Sequence, residues 1–204
     1  LLVTSALQGE GKTTTAANLA VVFAQAGKSV LLMDADLRKP GVHKILDLPN
    51  DSGLSSLLLR DTADPGLALQ DTEVPGLRVL TTGPLPPNPA ELLGSHRFRT
   101  LLGNFEARFD LVLIDSPPVH AVADAAILSS ITSGTLLVVY AGKTRRGAIR
   151  AAREALSKAD ANVLGVSLNQ LSRRGRTEGY YEYYQSAGYG YGHGPKGKQA
   201  VAGK

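Results

Sequence analysis

The sequence predicts an α/β protein built on a doubly wound, mainly parallel sheet with helices on both faces. Short apolar runs that are expected to form strands lie at residues 1–5, 30–33, 77–80, 111–114, 136–139 and 163–166. Runs that are apolar on both faces are typical of parallel strands covered by helices on each side. The helical patterns between them lie at about 12–26, 52–60, 89–103, 121–132 and 144–159. Because strand–helix alternation gives right-handed βαβ units, we expect a ligand site at the carboxyl ends of the strands.

Length and composition are those of a single ordinary domain. The 204 residues are 43% hydrophobic and 20% charged, which argues against disorder throughout the chain. No apolar run approaches the roughly 18–20 residues that span a bilayer, and no signal-peptide pattern opens the chain. The absence of cysteine excludes a disulfide scaffold and a thiolate metal site. Since Leu1 already lies in a predicted strand, we expect the chain to be a piece of a longer polypeptide.

The net positive charge lies entirely in the C-terminal segment. The whole chain carries +4, and residues 171–204 contain six basic and two acidic side chains, so residues 1–170 are neutral. We therefore predict a folded domain at 1–170 and a flexible, basic, Gly/Tyr-rich tail at 171–204. A neutral folded domain gives no reason to expect specific nucleic-acid binding, although the interleaved Tyr and Arg of the tail leave that function open for the tail.

The loop after the first predicted strand has the pattern of a phosphate-binding loop. Its glycines let backbone N–H groups approach phosphate oxygens, and the positive end of the next helix points at the same anion. Lys12 can reach the β- and γ-phosphates, and the Thr13 hydroxyl can bind Mg²⁺. Ala6 stands where the strict motif has glycine, so a plain Gly-rich turn is the alternative. The residues assigned to nucleotide binding here are Gly9, Glu10, Gly11, Lys12, Thr13 and Thr14.

Two further strand ends carry carboxylates. Asp34 and Asp36 follow the strand at 30–33, and Asp115 follows the strand at 111–114. Each alone has an ordinary interpretation, as a helix cap, a solvated turn or a strand-ending Asp. Together with the glycine loop they predict binding of Mg·ATP or Mg·GTP, with Thr13, Asp36 and Asp115 assigned to Mg²⁺ directly or through water.

These motifs resemble those of a known family. The segments GEGKT at 9–13, Asp34-x-Asp36-x-Arg38 and LIDSPP at 113–118 are similar to the Walker A, A′ and B motifs of bacterial tyrosine kinases. Those are the autokinases that accompany capsule and exopolysaccharide assembly. Residues 87–93 with Ser95 also resemble that family. Partitioning and positioning ATPases of the same P-loop superfamily carry an extra lysine early in the loop, where this chain has Leu7, and this difference favours the kinase branch.

The resemblance implies roles for individual residues. It implies ATP and Mg²⁺ as cofactors and Lys12, Asp34, Asp36 and Asp115 as the catalytic set, with Asp34 orienting the incoming hydroxyl and accepting its proton. A carboxylate of ordinary pKa is a weak base toward a phenol, so Asp34 is expected to act mainly by orientation. Asn169 aligns with a residue that contacts adenine in related ATPases, although a turn-forming Asn is equally compatible.

The tail supplies the expected phosphate acceptors. Six of the seven tyrosines lie close together in it, at Tyr180, Tyr181, Tyr183, Tyr184, Tyr189 and Tyr191. Accessible hydroxyls in a flexible segment suit a kinase substrate, and we expect phosphorylation in trans between subunits of a homo-oligomer. The alternative for the tail is a Gly/Tyr low-complexity segment used for adhesion or condensation.

The family also implies partners and a location. It implies a transmembrane, polysaccharide co-polymerase-type adaptor, either fused upstream or separate, and a tyrosine phosphatase. The expected location is the cytoplasmic side of the plasma membrane. A positioning-type ATPase without kinase activity and a non-catalytic nucleotide-binding regulator remain the alternatives. Arg38 and Lys39 are compatible with a phosphate contact or a subunit contact. The arginines from Arg145 to Arg153 are compatible with a solvated helix face or with a subunit contact.

Overall fold

A seven-stranded sheet forms the centre of the molecule. The structure is a computed structural model that describes residues 1–59 and 65–171. The strands are β1 (Leu2–Ser5), β2 (Val30–Asp34), β3 (Gln70–Asp71), β4 (Leu77–Leu80), β5 (Leu111–Asp115), β6 (Thr135–Tyr140) and β7 (Val163–Asn169). Their order in the sheet is β3-β4-β2-β5-β1-β6-β7. Every pairing is parallel except that of the short strand β3 with β4. The predicted doubly wound, mainly parallel sheet is confirmed.

Helices cover both faces of this sheet. They are α1 (Lys12–Gln25), α2 (Val42–Ile45), α3 (Leu54–Leu59), α4 (Pro89–Gly94), α5 (His96–Glu106), α6 (Asp124–Ser129) and α7 (Arg146–Lys158), with a 3₁₀ turn at Pro65–Ala68. Four buried alanines of α1, from Ala16 to Ala24, pack with Val3, Leu32 and Leu113 on one face. Leu2, Met33 and Ile114 point to the other face and pack with buried side chains of α3 to α6. Small alanines let α1 lie close to the sheet, directly behind the first loop.

The predicted helix at 89–103 is wrong in one respect, because it is two helices that meet at Ser95. The backbone of Ser95 is extended. Its hydroxyl accepts the Phe98 N–H at 3.1 Å and donates to the Leu92 carbonyl at 2.7 Å. Serine is a preferred helix N-cap, and here it ends α4 and begins α5 within one residue. The apolar spacing continues across the break, which is why the pattern alone predicted one helix.

The sheet edges also differ from the prediction. β7 lies at one edge, and its Leu164, Val166 and Leu168 side chains are more than half exposed, so the expected cover on both faces is not met there. The short strand β3 at the opposite edge was not predicted, and neither was the one-turn helix α2, since segments of two and four residues are too short to show a periodicity. The predicted helix at 121–132 is shorter and covers Asp124–Ser129.

Within 1–59 and 65–171, no helix is both long and apolar enough to cross a bilayer. The six tail tyrosines and the predicted boundary of the tail fall at or beyond the end of the second range. The predictions made for them therefore stay predictions.

Candidate functional site

The loop between β1 and α1 has the backbone of a phosphate cradle. Gly9 and Gly11 adopt positive φ angles of 81° and 89°, a region that other residues rarely adopt. A Cβ on Gly11 would also lie 2.1 Å from the Asn169 side-chain nitrogen. Helix α1 begins at Lys12 without a side-chain cap, so N–H groups of its first turn remain available to an anion.

Lys12 stands between the carboxylates of two other loops. Its Nζ lies 3.0 Å from Asp36 Oδ2 and 3.5 Å from Asp115 Oδ2. Burial lowers the pKa of Lys12, but the carboxylates of Asp115, Asp36 and Asp34 outweigh that effect and raise it overall. Lys12 is therefore cationic at neutral pH. The structure brings the three predicted strand-end loops together around this one ammonium group.

Asp115 and Thr13 form the part of the site that suits a metal ion. Thr13 Oγ1 donates to Asp115 Oδ2 at 2.7 Å. Asp115 Oδ1 is buried and has no hydrogen-bond partner among the described residues. Burial raises the pKa of Asp115 to about 7, although Lys12 opposes the rise. A buried carboxylate oxygen without a partner is costly, and a hard cation would satisfy it. The residues present thus fit Mg²⁺.

The second loop holds its two carboxylates in different ways. Asp34 is fully buried; its Oδ2 accepts the Gly41 and Val42 N–H groups at 3.0 Å each, and its Oδ1 accepts that of Asp36 at 3.1 Å. Burial raises the pKa of Asp34, and these three N–H groups partly oppose the rise. Asp36 Oδ1 accepts the Lys39 N–H at 2.9 Å, which leaves Oδ2 facing Lys12. Asp34 thus shapes the loop, and Asp36 faces the site.

The first loop is held from its other side by a set of hydrogen bonds that the sequence did not predict. The buried Glu10 carboxylate accepts the Leu7 N–H at 2.7 Å and, with its second oxygen, the Thr144 hydroxyl. Asn169 Nδ2 donates to the Glu10 carbonyl at 3.0 Å, and Gln170 Nε2 to the Gly9 carbonyl at 3.3 Å. Glu10 was predicted to bind nucleotide, but its side chain ties the loop to the residues after β6. A signal was present: Glu10 is the one ionisable side chain between the two loop glycines.

A cavity of about 380 Å³ opens beside Lys12, on the side of β2 and β5. Its lining joins the first loop and the start of α1 to the loops after β2 and β5, and it consists of Gln8, Gly9, Gly11, Lys12, Thr13, Thr14, Asp36, Arg38, Lys39, Pro117, Pro118, Ala121 and Val122. Arg38 was left undecided by the sequence. Its Nε and Nη2 donate to the two carboxylate oxygens of Asp124 at 2.9 and 3.0 Å. Asp124, at the start of α6, is fully buried and was not predicted.

Comparison with known proteins places this arrangement in a family. The model of the CobQ/CobB/MinD/ParA nucleotide-binding domain matches residues 1–193. The tyrosine-protein kinase YwqD of Bacillus subtilis is 48% identical over 182 residues, which cover 89% of this chain and 76% of that protein. The tyrosine-protein kinase Wzc of Salmonella typhimurium is 41% identical over 194 residues, which cover 91% of this chain but only 26% of the relative.

Solved structures give the same result. The kinase domain of the Escherichia coli tyrosine kinase ETK superposes with a TM-score of 0.82 at 34% identity. The match covers 94% of this chain and 71% of that one.

Proposed function

Because this chain belongs to the bacterial tyrosine kinases of the CobQ/CobB/MinD/ParA nucleotide-binding family, we propose that it transfers the γ-phosphoryl group of ATP to tyrosines of its own C-terminal cluster. The observation that carries the proposal is the convergence of Lys12, Asp36 and Asp115 within 3.5 Å beside an open cavity. A triphosphate bound by the first loop would meet both carboxylates and the lysine at its γ end.

Each residue of the site has a proposed part in binding. The N–H groups of the first loop and Lys12 hold the β- and γ-phosphates, and Lys12 exchanges its contacts with Asp36 and Asp115 for phosphate oxygens. Thr13, Asp36 and Asp115 would hold Mg²⁺ directly or through water, since two carboxylates and a hydroxyl leave room for the waters that this ion keeps. When bound, Mg²⁺ neutralises charge on the phosphates. Asn169 would contribute to the adenine side, next to its contact with the Glu10 carbonyl.

The chemistry needs little from the protein beyond position and charge. The bond between the γ-phosphorus and the bridging oxygen of ADP breaks while a bond to the tyrosine oxygen forms, and the phenol proton passes finally to solvent. The Lys12 ammonium stabilises charge that develops on the departing β-phosphate. We propose that Asp34 orients the acceptor through the loop that carries Asp36, since three backbone N–H groups engage its carboxylate.

The acceptors and partners complete the proposal. The six tyrosines at 180–191 are the proposed phosphorylation sites, reached in trans from another subunit of a homo-oligomer. A transmembrane polysaccharide co-polymerase-type adaptor and a tyrosine phosphatase are the proposed partners, at the cytoplasmic side of the membrane, in the regulation of capsule or exopolysaccharide synthesis. In a related kinase this region makes up only 26% of the polypeptide, which supports a domain that works beside further domains.

A mixing experiment tests the proposal. One chain carries Lys12→Met and an intact tail; the other carries Phe at all six tail tyrosines and an intact site. We expect each chain alone to form no tail phosphotyrosine with Mg·ATP, and the mixture to place it on the Lys12→Met chain. Phosphopeptide mass spectrometry reads the result. If wild-type protein hydrolyses ATP but yields no phosphotyrosine, the kinase proposal fails and a positioning-type ATPase remains.

A further inference from the structure

The two edges of the sheet are built differently. At one edge, β3 has only two residues, and its Asp71 pairs with Arg78 of β4. At the other edge, β7 has seven residues, Val163–Asn169, and contains neither a charged residue nor a proline. Among residues 1–59 and 65–171, β7 pairs with β6 alone, so one row of its backbone N–H and C=O groups faces away from the sheet. A long apolar edge without charges or proline is able to add another strand.

β7 also exposes an apolar row beside α7. Leu164, Val166 and Leu168 are 62%, 52% and 60% exposed. Val166 lies opposite Leu137 in the parallel register with β6, and Leu137 is buried in the cluster that packs under α7. Because side chains alternate between the faces of a strand, Leu168 points to the same face as Val166. The apolar row therefore continues the face that α7 covers, but it extends past that helix.

Three arginines of α7 lie along this apolar row. Arg146, Arg150 and Arg153 are exposed and have i+4 and i+3 spacing, which places them on one side of the helix. That side faces β7, because Arg153 and Ser157 line a cavity together with Val163. None of the three arginines forms an ion pair with a residue that the structure describes. The apolar row and these arginines together are called the β7 shelf below.

We propose that the β7 shelf binds an extended, acidic segment of a partner protein as an added strand of the sheet. Backbone hydrogen bonds to the outer edge of β7 supply affinity and fix the register. On the face toward α7, apolar side chains of the segment cover Val166 and Leu168, and its carboxylates reach Arg146 and Arg153. The arginines thus select the charge of the partner.

The charge and shape of the shelf favour this occupant over two others. In an antiparallel pairing that continues the sheet, a second copy of this chain would bring its own three arginines to the same edge, and like charges would oppose the contact. An anionic lipid surface would match the charge. However, the apolar row lies in the sheet beside α7, and a flat bilayer surface would meet the helix first. An extended acidic segment satisfies the backbone edge, the apolar row and the arginines together.

A binding measurement without nucleotide tests the shelf on the full chain. The probe is a fluorescent peptide of about nine residues, with Thr at the odd positions and Val and Glu in turn at the even ones, so that Val and Glu share one face of the strand. One matched peptide has Lys in place of every Glu, and another has Ser in place of every Val. We expect the Glu peptide to bind at least about tenfold more tightly than either matched peptide.

Variants then assign the binding to the shelf. Arg153→Glu should weaken binding of the Glu peptide about tenfold. Lys158→Glu is the matched control, since Lys158 is exposed on a different side of the same helix, and affinity should stay within about twofold. Val166→Thr should weaken binding several-fold, whereas Val22→Thr should leave it unchanged, because Val22 is 59% exposed on α1.

Hydrogen exchange distinguishes an added strand from a helix that contacts the side chains alone. With the Glu peptide bound, the backbone amides of β7 that face outward should exchange at least about tenfold more slowly. The amides of β3, at the other edge of the sheet, should keep their exchange rates.

Three results would overturn the proposal: the Glu and Lys peptides bind equally, Arg153→Glu and Lys158→Glu behave alike, or the β7 amides exchange as fast in the complex as in the free chain. A dimer of the chain alone that Val166→Thr dissociates, measured by light scattering, would assign the edge to a second copy instead. Binding to phosphatidylserine vesicles that Val166→Thr abolishes would assign it to a lipid surface. None of these results bears on whether wild-type protein forms tail phosphotyrosine.

Discussion

The phosphate-binding loop is held on its two sides by different kinds of interaction. On the β2 and β5 side, Lys12 faces the buried carboxylates of Asp36 and Asp115. On the β6 and β7 side, Glu10 and Asn169 tie the loop to its neighbours by hydrogen bonds that leave no charge facing the cavity. The contacts of Lys12 can rearrange when a phosphate binds, because its oxygens can replace Asp36 and Asp115 as partners of the ammonium group. The second set keeps the loop in shape during that exchange. We infer that the residues on the charged side act on the phosphates, and that those on the other side hold the loop in its binding conformation.

The largest expected effect comes from breaking the charged side. Lys12→Met should lower the rate of tail phosphorylation at least about a hundredfold, because it removes a preorganised cation from the developing phosphate charge. The initial rate of phosphotyrosine formation measures this. Lys143→Met is the matched control: Lys143 is exposed, lies 4.9 Å from the Tyr140 ring on the β6 side and should leave the rate within about twofold. Equal losses in the two variants would remove the distinction between the sides.

The next effect concerns pH and the nucleotide-free fold. Burial raises the pKa of Asp115 from 3.8 to about 7, so the folded state binds a proton that the unfolded state has lost between those values. The free energy of unfolding should therefore fall as pH rises from about 4 to about 7, by on the order of 4 kcal/mol, and level off above that. The raised pKa of Asp34 acts in the same direction.

Urea unfolding at a series of pH values measures this slope, and Asp115→Asn should remove most of it. If Asp115→Asn left the pH dependence of the free energy of unfolding unchanged, Asp115 would have its ordinary pKa. Burial would then not disfavour its charged form.

The smallest effect comes from loosening the other side. Thr144→Val removes the hydroxyl that donates to Glu10 and leaves a buried carboxylate oxygen unsatisfied, so nucleotide affinity should fall up to about tenfold. Titration with a fluorescent ADP analogue measures it. Thr72→Val is the control, because the Thr72 hydroxyl also makes hydrogen bonds, to the carbonyls of Val74 and Leu77 at 3.2 and 3.0 Å. Thr72 is distant in sequence from the phosphate-binding loop. Thr72→Val should lower the free energy of unfolding but leave nucleotide affinity unchanged. An equal loss of nucleotide affinity in both variants would refute a specific role for the hydrogen bond between Thr144 and Glu10.

The charged side could be predicted from the sequence, and the other side could not. Lys12, Asp36 and Asp115 lie in motifs at strand ends, and parallel topology alone requires those ends to meet at one edge. Glu10 lies in the motif of the first loop, but Thr144 is 134 residues away and belongs to no motif, so only the folded chain reveals their contact. Arg38 likewise lies in the motif of the second loop, but its partner Asp124 is 86 residues away and belongs to no motif.

The fold shows the same division. The strands were predictable because buried parallel strands are continuous apolar runs, as at Val30–Asp34 and Leu111–Asp115. The break at Ser95 was not, because serine also occurs within helices and its capping bond depends on where the Leu92 carbonyl lies. Periodicity reports which face is buried, and it carries no information on a local hydrogen bond that ends a helix.

The most direct test of the central claim is the number of tail phosphotyrosines formed for each ADP released by wild-type protein in Mg·ATP. If the charged side delivers the phosphoryl group to a tyrosine, the ratio should stay close to one until the tail acceptors are filled, and it should fall when they are replaced by Phe. A steady release of ADP and inorganic phosphate with a ratio near zero from the first turnover would contradict the claim, since water would then be the acceptor.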